Sequence, residues 1–454
     1  MVAVQKQIGY FLYKCLFSGI IVLTTSSCIL NPFIQDLIWP SKKNQNLHPF
    51  LGLFVSNSRT ITIDPNFLGL QKESAGQLTA ILFDSGNPIE SGFQWTSANP
   101  SIATVDNNGL VTAVSNGKTN IIATASGAFG TCTVTVYSGI VYATLDGANQ
   151  VTRSTMNSTT GFLTYNDFFP TGAAPTGIVV DPFGRYLYTG NFDDDTISQF
   201  AVNPANGNLT VNGTASAQYQ PRNLAISNDG RFLYAAKESG GIGHYLINGD
   251  GTLSFQNSFN VSASSSQVII DPTGKFLLAL APSGNQLTSF SIDPNTGFLT
   301  LLSISPTFDS SGLMAIHPGG KFVYIGSSPN ITILNLDSQS GLLTISGGQA
   351  SAGNFNGGTV HPSGKFLYFV NLSTGFIYGF SIDQNSGLIT PLTPISTLLT
   401  DIRFLVIEPS GRFAYLANKT TNEIYQFSIN QSTGDLTFLN GTNVGGTQWN
   451  LFFM

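Results

Sequence analysis

Side chains able to do chemistry are scarce in this chain, and their scarcity limits where a site can lie. The 454 residues include 4 His, 3 Cys, 18 Lys+Arg and 24 Asp+Glu. No His-Glu-x-x-His, Cys-x-x-Cys or Gly-x-Ser-x-Gly stretch occurs, so zinc hydrolysis, a thiol pair and a serine elbow are not indicated. Gly117-Lys118-Thr119 ends like a phosphate loop, but Thr112 stands where the first glycine is needed. Gly241-Ile242-Gly243 lacks the third glycine and the helix of a dinucleotide site. Asp193-Asp194-Asp195 is acidic but lacks the Gly and Glu of a calcium loop. Cys132 alternates with Val134 and Val136, the pattern of a buried strand thiol rather than a nucleophile. No metal and no cofactor is expected.

The basic residues say more. Six of them, Arg185, Arg231, Lys275, Lys321, Lys365 and Arg412, recur at one position of a repeated motif and are expected in solvent just after a turn. Beyond residue 139 only Arg153, Arg222, Lys237, Arg403 and Lys419 remain. Arg222 and Arg403 occupy the same slot of two repeats. That pairing suits an anionic or polyhydroxyl ligand held on one face, with Lys237 and Arg153 as further ligand contacts. His317 and His361 fall in a turn slot filled elsewhere by Asp181 and Asp271, where bonding to local backbone is expected.

The elements that position these residues follow from pattern and composition. Only 9% of residues are charged, against ~25% in soluble proteins generally. Hydrophobic residues make up 42% and Gly alone counts 48, which suits an all-β chain of many short strands. Net charge is −6, which argues against nucleic acid as a partner. The motif Asp181-Pro182-Phe183-Gly184-Arg185-Tyr186-Leu187-Tyr188 recurs with Gly230, Gly274, Gly320, Gly364 and Gly411, at intervals of 46, 44, 46, 44 and 47. A second motif, Phe-x-Ile-Asp/Asn-x-x-x-Gly-x-Leu-Thr, is centred on Gly161, Gly207, Gly251, Gly297, Gly341, Gly387 and Gly434. Two hairpin turns in each ~45-residue unit mean a four-stranded blade and a β-propeller. The second motif occurs seven times and the first six. The chain ends at Thr447–Met454, a strand that stops just before the missing turn, and Ile140–Thr144 through Leu163-Thr164 supply the outer part. Seven blades are expected, one closed by both chain ends so that no edge strand is left open.

Two other segments stand out. Residues 58-137 alternate as strands, and Trp95-Thr96-Ser97, Ala103-Thr104-Val105, Gly109-Leu110-Val111-Thr112-Ala113 and Gly117-Lys118-Thr119 carry the hallmarks of the group 2 bacterial Ig-like domain, which this segment resembles. Trp95, Ile102 and Val105 are expected in the sandwich core and Gly109 in a tight turn. At the N-terminus, Lys6 and Lys14 precede the apolar run Leu16–Leu23, the small residues Thr24–Ser27 and then Cys28. This resembles a lipoprotein signal with a relaxed lipobox, Thr25 replacing the usual Leu. It implies a signal peptide over 1-27, acylation at Cys28, a tether over 28-57 and export to the bacterial cell envelope, at the outer membrane or cell surface, with the lipid bilayer as partner.

The repeats of 139-454 resemble the seven-bladed lactonase-like propellers, the group of 6-phosphogluconolactonase and the carboxy-muconate cyclising enzymes. In that family an Arg-His pair opens one inner strand and a Glu follows 16 residues later. Arg222 and Glu238 match; the His is replaced by Asn223, and a further family His falls near Thr176-Gly177. The leading expectation is therefore a non-catalytic, monomeric envelope lipoprotein whose Ig-like spacer presents the propeller to an unidentified ligand or protein. The alternative is a lactone hydrolase that uses Arg222 and Glu238 on an extracytoplasmic lactone.

Overall fold

The computed structural model describes residues 59–238, 241–261, 265–281, 285–308, 310–328, 330–350 and 355–454. The expected signal peptide, the tether and Cys28 lie outside the described residues. Among the described residues every regular element is a strand.

The first strands build the sandwich. Thr/Val alternation along Ala128–Tyr137 sends Cys132, Val134 and Val136 inward and the threonines between them outward. This strand pairs antiparallel with Gly117–Ala125 and parallel with Phe67–Gln71. Three small sheets close on one core that includes Ile61, Leu82, Ile102, Val111 and Ile121. Ile102 is fully inside, whereas Trp95 and Val105 are only partly buried against that core. Gly109 has φ +82°, and a Cβ placed on it would meet the Leu78 carbonyl oxygen and the Trp95 ring, so no side chain fits there.

From Ile140 the strands form seven blades. In chain order the innermost strands are Pro175–Val180, Pro221–Ile226, Gln267–Ile270, Ser310–Ile316, Phe355–Val360, Ile402–Ile407 and Gln448–Phe453, opening blades 1 to 7. Each contacts the next, and blade 7 returns to blade 1. Blade 7 takes its inner strand from the C-terminus and its other three, Ile140–Leu145, Gln150–Met156 and Leu163–Pro170, from the start of the array. In blade 5 the fourth position is split into Ile389–Pro391 and Ile395–Ser396. Prolines 391 and 394 lie in and beside it and remove ladder donors.

The two sequence motifs turn out to be halves of one contact. The phenol of the first-motif tyrosine donates to the carbonyl of the second-motif glycine in the next blade. Tyr142 bonds Gly207, Tyr188 Gly251, Tyr234 Gly297, Tyr324 Gly387, Tyr368 Gly434 and Tyr415 Gly161, at 2.5–3.1 Å. Blade 3 has Leu278 instead, and the Ser289 hydroxyl makes the equivalent bond to Gly341 at 2.6 Å. Seven such bonds circle the ring. The glycines hold φ near +70 to +84°, which a side chain would strain.

The Ig-like domain packs on the end of the ring that carries these turns. Gly69 lies against Pro409 and Ser410 of the blade 6 turn, and Asn116 against Gly184 of the blade 1 turn. Tyr137 joins a core with Val141, Phe413 and Tyr415. Burial and the nearby Glu408 carboxylate push its phenol up to about 12. The opposite end, where inner strands begin, faces away from this domain.

Candidate functional site

Strand topology sets which residues share the free end. Inner strands start there and second strands finish there. Arg222 begins the inner strand of blade 2, and Glu238 follows its second strand, Phe232–Lys237. Their side chains meet as an ion pair through Arg222 Nε and Glu238 Oε2. Arg222 also lies over the Phe192 ring, 4.7 Å from its centroid, which fixes the guanidinium from the side. The pair is 34% and 38% exposed, so it contributes little to stability and stays open to a ligand. A positioned cation beside a carboxylate can stabilise an oxyanion and accept a proton from water.

The two missing family histidines have structural replacements. Asn223 Oδ1 accepts the Val268 N–H of blade 3 at 3.1 Å. Thr176 Oγ1 donates to the Pro221 carbonyl at 2.9 Å, and a side chain at Gly177 would run into the Arg222–Asn223 backbone. Both positions are occupied with joining inner strands, and neither presents a titratable group to Arg222.

Arg403 and Lys419 lie at the same end, in blade 6. The Arg403 guanidinium is 4.7 Å and the Lys419 ammonium 4.4 Å from the Trp449 ring centroid of blade 7. Arg403 pairs with Asp401 at 2.7 Å, and Lys419 with Asp146 at 3.0 Å. Neither Lys419 nor Trp449 was among the expected ligand contacts. Trp449 carries a signal: it fills in blade 7 the slot that Arg222 and Arg403 fill in theirs.

Two expected ligand residues are held by other partners in the structure. Arg153 is held in a fork by both Asp167 oxygens, at 2.8 and 3.0 Å, and donates to the Asn206 carbonyl. Asn206 is in the third-to-fourth strand turn of blade 1, at the Ig-bearing end. Arg153 therefore braces blade 7 against blade 1 and does not face the free end. It stands across the strand pair from Tyr142, in the slot where Gln199 and Gln426 also bond the next blade. Lys237 points outward, not into the channel. Its ammonium donates to Ser258 Oγ at 2.8 Å on the fourth strand. Gly241 and Gly243 of the intervening strand lie beside that path. Burial lowers the Lys237 pKa.

The histidines behave as turn and core residues. His361 Nδ1 meets Ser363 Oγ and Nε2 meets the Gly411 carbonyl, both within hydrogen-bond reach; His317 Nδ1 accepts the Gly319 N–H. His244 is buried between Tyr234, Phe232 and Phe259, and burial lowers its pKa to about 4. In the Asp193–Asp195 loop, Asp194 Oδ2 accepts the Ala173 N–H. Among the described residues no group of three or more His, Cys, Asp or Glu could hold a metal ion. Cys132 is fully buried, and burial pushes its thiol up to about 12.

A seven-bladed ring closed by both ends, with an Arg at the start of an inner strand paired to a Glu at the end of the next, defines a lactonase-type propeller. Residues 138–260, 251–356 and 350–452 match the family model described as "Lactonase, 7-bladed beta-propeller", and the chain belongs to this family. Residues 58–138 match the group 2 bacterial Ig-like domain. A 6-phosphogluconolactonase of Formosa agariphila is 31% identical over 166 residues, 33% of this chain and 46% of the relative. One from Pectobacterium carotovorum is 29% identical over 154 residues, 32% and 46% of the two chains. The chain thus spans about half the length of the curated relatives it matches. Among solved structures, a candidate 6-phosphogluconolactonase from Bacteroides fragilis superposes with TM-score 0.63 at 23% identity, covering 69% of this chain and 97% of the other. A periplasmic gluconolactonase of Pseudomonas aeruginosa gives 0.61 at 17%, covering 69% and 98%. At these identities the structural likeness establishes the fold.

Proposed function

We propose that the protein is a lactone hydrolase, with Arg222 and Glu238 as its catalytic residues, and that its substrate is an extracytoplasmic lactone. The observation that carries this reading is the contact between Arg222 and Glu238 at the free end of the ring. Relatives bearing the name 6-phosphogluconolactonase support it. In the reaction, Glu238 takes a proton from water as the water oxygen bonds the acyl carbon. Arg222 holds the oxyanion, the ring C–O bond breaks, and the proton returns from Glu238 to the leaving oxygen. The N-terminal lipobox pattern, with acylation at Cys28, would place the enzyme in the cell envelope. The Ig-like domain leaves the Arg222 end uncovered.

The test is acid release by the purified full chain on a panel of aldonolactones, followed in a pH-stat. Arg222→Ala and Glu238→Gln should each lower kcat/KM by about 100-fold or more. Turnover unchanged in both variants would overturn the assignment. One observation favours a second reading, presentation of a ligand without catalysis: Asn223 and Thr176 bond the scaffold where the family has histidines. Saturable lactone binding without acid release would select it. Palmitate labelling that persists in Cys28→Ala would remove the anchor.

A further inference from the structure

The second cluster of the free end is not used by the reaction above. Its members come from four separate segments. Arg403 starts the inner strand of blade 6 and Lys419 follows that blade's second strand, whereas Trp449 starts the inner strand of blade 7 and Asp146 follows its second strand. Asp401 precedes Arg403. Two cations and two carboxylates surround one indole, so the cluster carries no net formal charge. Arg403 and Asp401 are 20% and 28% exposed. Asp401 Oδ1 meets Arg403 Nη2 at 2.7 Å, and Arg403 Nε is buried without a hydrogen-bond partner among the described residues.

These features select a ligand chemistry. Two ion pairs side by side present donors and acceptors together, which suits a hydroxyl, able both to donate and to accept, better than a carboxylate, which only accepts. An anion would meet Asp401 and Asp146 as well as the cations. A neutral polyol meets alternating donors and acceptors at the two ion pairs, with the half-buried Trp449 ring as an apolar wall.

Its position links it to the reactive pair. The residues facing the stapling tyrosines of blades 6, 7, 1 and 2 are Val406, Phe452, Val179 and Ala225. Three positions earlier on each strand stand Arg403, Trp449, Thr176 and Arg222. These four form an arc on consecutive inner strands. Asn450 Nδ2 bonds the Thr176 carbonyl, and Thr176 bonds Pro221, tying the arc together.

We propose that Arg403, Lys419, Trp449, Asp401 and Asp146 form a subsite for a neutral sugar ring. Resting on the hydrolase reading, the substrate is then a lactone that carries a glycosyl unit, with the lactone at Arg222 and the sugar at Trp449.

Two measurements test this. The first is Trp fluorescence of the full chain titrated with cellobiose, maltose, inorganic phosphate and citrate. A disaccharide should change the emission saturably in the wild type and in Arg222→Ala, and not in Trp449→Phe or Arg403→Met. A response to the anions alone, or to neither class, overturns the subsite. The second compares glucono-1,5-lactone with cellobionolactone and maltobionolactone. Trp449→Phe should raise KM for the preferred disaccharide lactone about tenfold, near 1.4 kcal/mol of binding, and leave the monosaccharide lactone unchanged. Equal loss on both lactones overturns it. Disaccharide binding without turnover of any lactone would refute the hydrolase reading and keep the subsite. Turnover of the monosaccharide lactone without disaccharide binding would do the reverse.

Discussion

Replacing Tyr188 by Phe removes one hydroxyl and leaves the ring packing in place. That hydroxyl is fully buried and donates to the Gly251 carbonyl of the next blade at 2.8 Å. The substitution therefore deletes one interblade bond and leaves a buried carbonyl short of a donor. A loss of this kind costs about 1–3 kcal/mol, more than the ~1 kcal/mol net worth of an ordinary hydrogen bond. Tyr186 is the internal control. Its hydroxyl also donates to a blade 2 carbonyl, Gly249, at 2.8 Å, but in an exposed setting. Tyr186→Phe should stay within about 0.5 kcal/mol of wild type. Equilibrium urea unfolding measures both, read as a shift in midpoint at constant slope. Tyr142→Phe and Tyr324→Phe lie in blades 7 and 4, so their effects should add within about 0.5 kcal/mol. A Tyr188→Phe protein as stable as the Tyr186→Phe control would refute the claim that these phenols staple the ring.

Other outcomes follow from the same structure. Burial raises the pKa of Tyr142, Tyr188, Tyr234, Tyr324, Tyr368 and Tyr415 above the ordinary value near 10. The unfolded chain therefore releases these protons first, and stability should fall steeply as pH rises above about 10; thermal melts at pH 9 and pH 11 that coincide would contradict this. His244 has the opposite sign: its pKa drops from 6.5 to about 4, so the unfolded state gains the proton first and stability is lost as pH falls from 6.5 towards 4. His244→Phe should flatten that part of the profile, checked by melts between pH 7 and pH 4. Truncation before Gln448 removes the strand that pairs Ile140–Leu145 and exposes the inner edge of blade 7. Size-exclusion chromatography should show aggregates, and a stable monomer would argue against closure by both ends.

Much of the fold was legible because turns impose local rules. The glycines of both motifs mark positive-φ positions, and their spacing counts the blades without any knowledge of contacts. The unequal motif counts announced the shared blade. Alternation marked the sandwich strand around Cys132, although Trp95 and Val105 sit at the margin of that core rather than within it. The site was only half legible. A slot in a repeat says where a Cα stands on the ring, but not which way a long side chain runs. Arg222 reaches Glu238 as the spacing suggested, yet Lys237, beside Glu238 in sequence, turns outward to Ser258.

What the sequence by itself determined is the periodic part of this protein. Blade number, strand order, ring closure and the Ig-like domain follow from residues that obey backbone geometry wherever they occur. Tertiary structure decided the partners. It joined the first-motif tyrosines to the second-motif glycines across blades, 63 to 66 residues apart along the chain in most cases. It placed Arg153 with Asp167 and Asn206, and gathered Arg403, Lys419, Asp401 and Asp146 around Trp449. The reason is physical. Backbone conformation depends on a residue and its immediate neighbours. The direction and charge environment of a flexible side chain depend on what the neighbouring blade puts beside it.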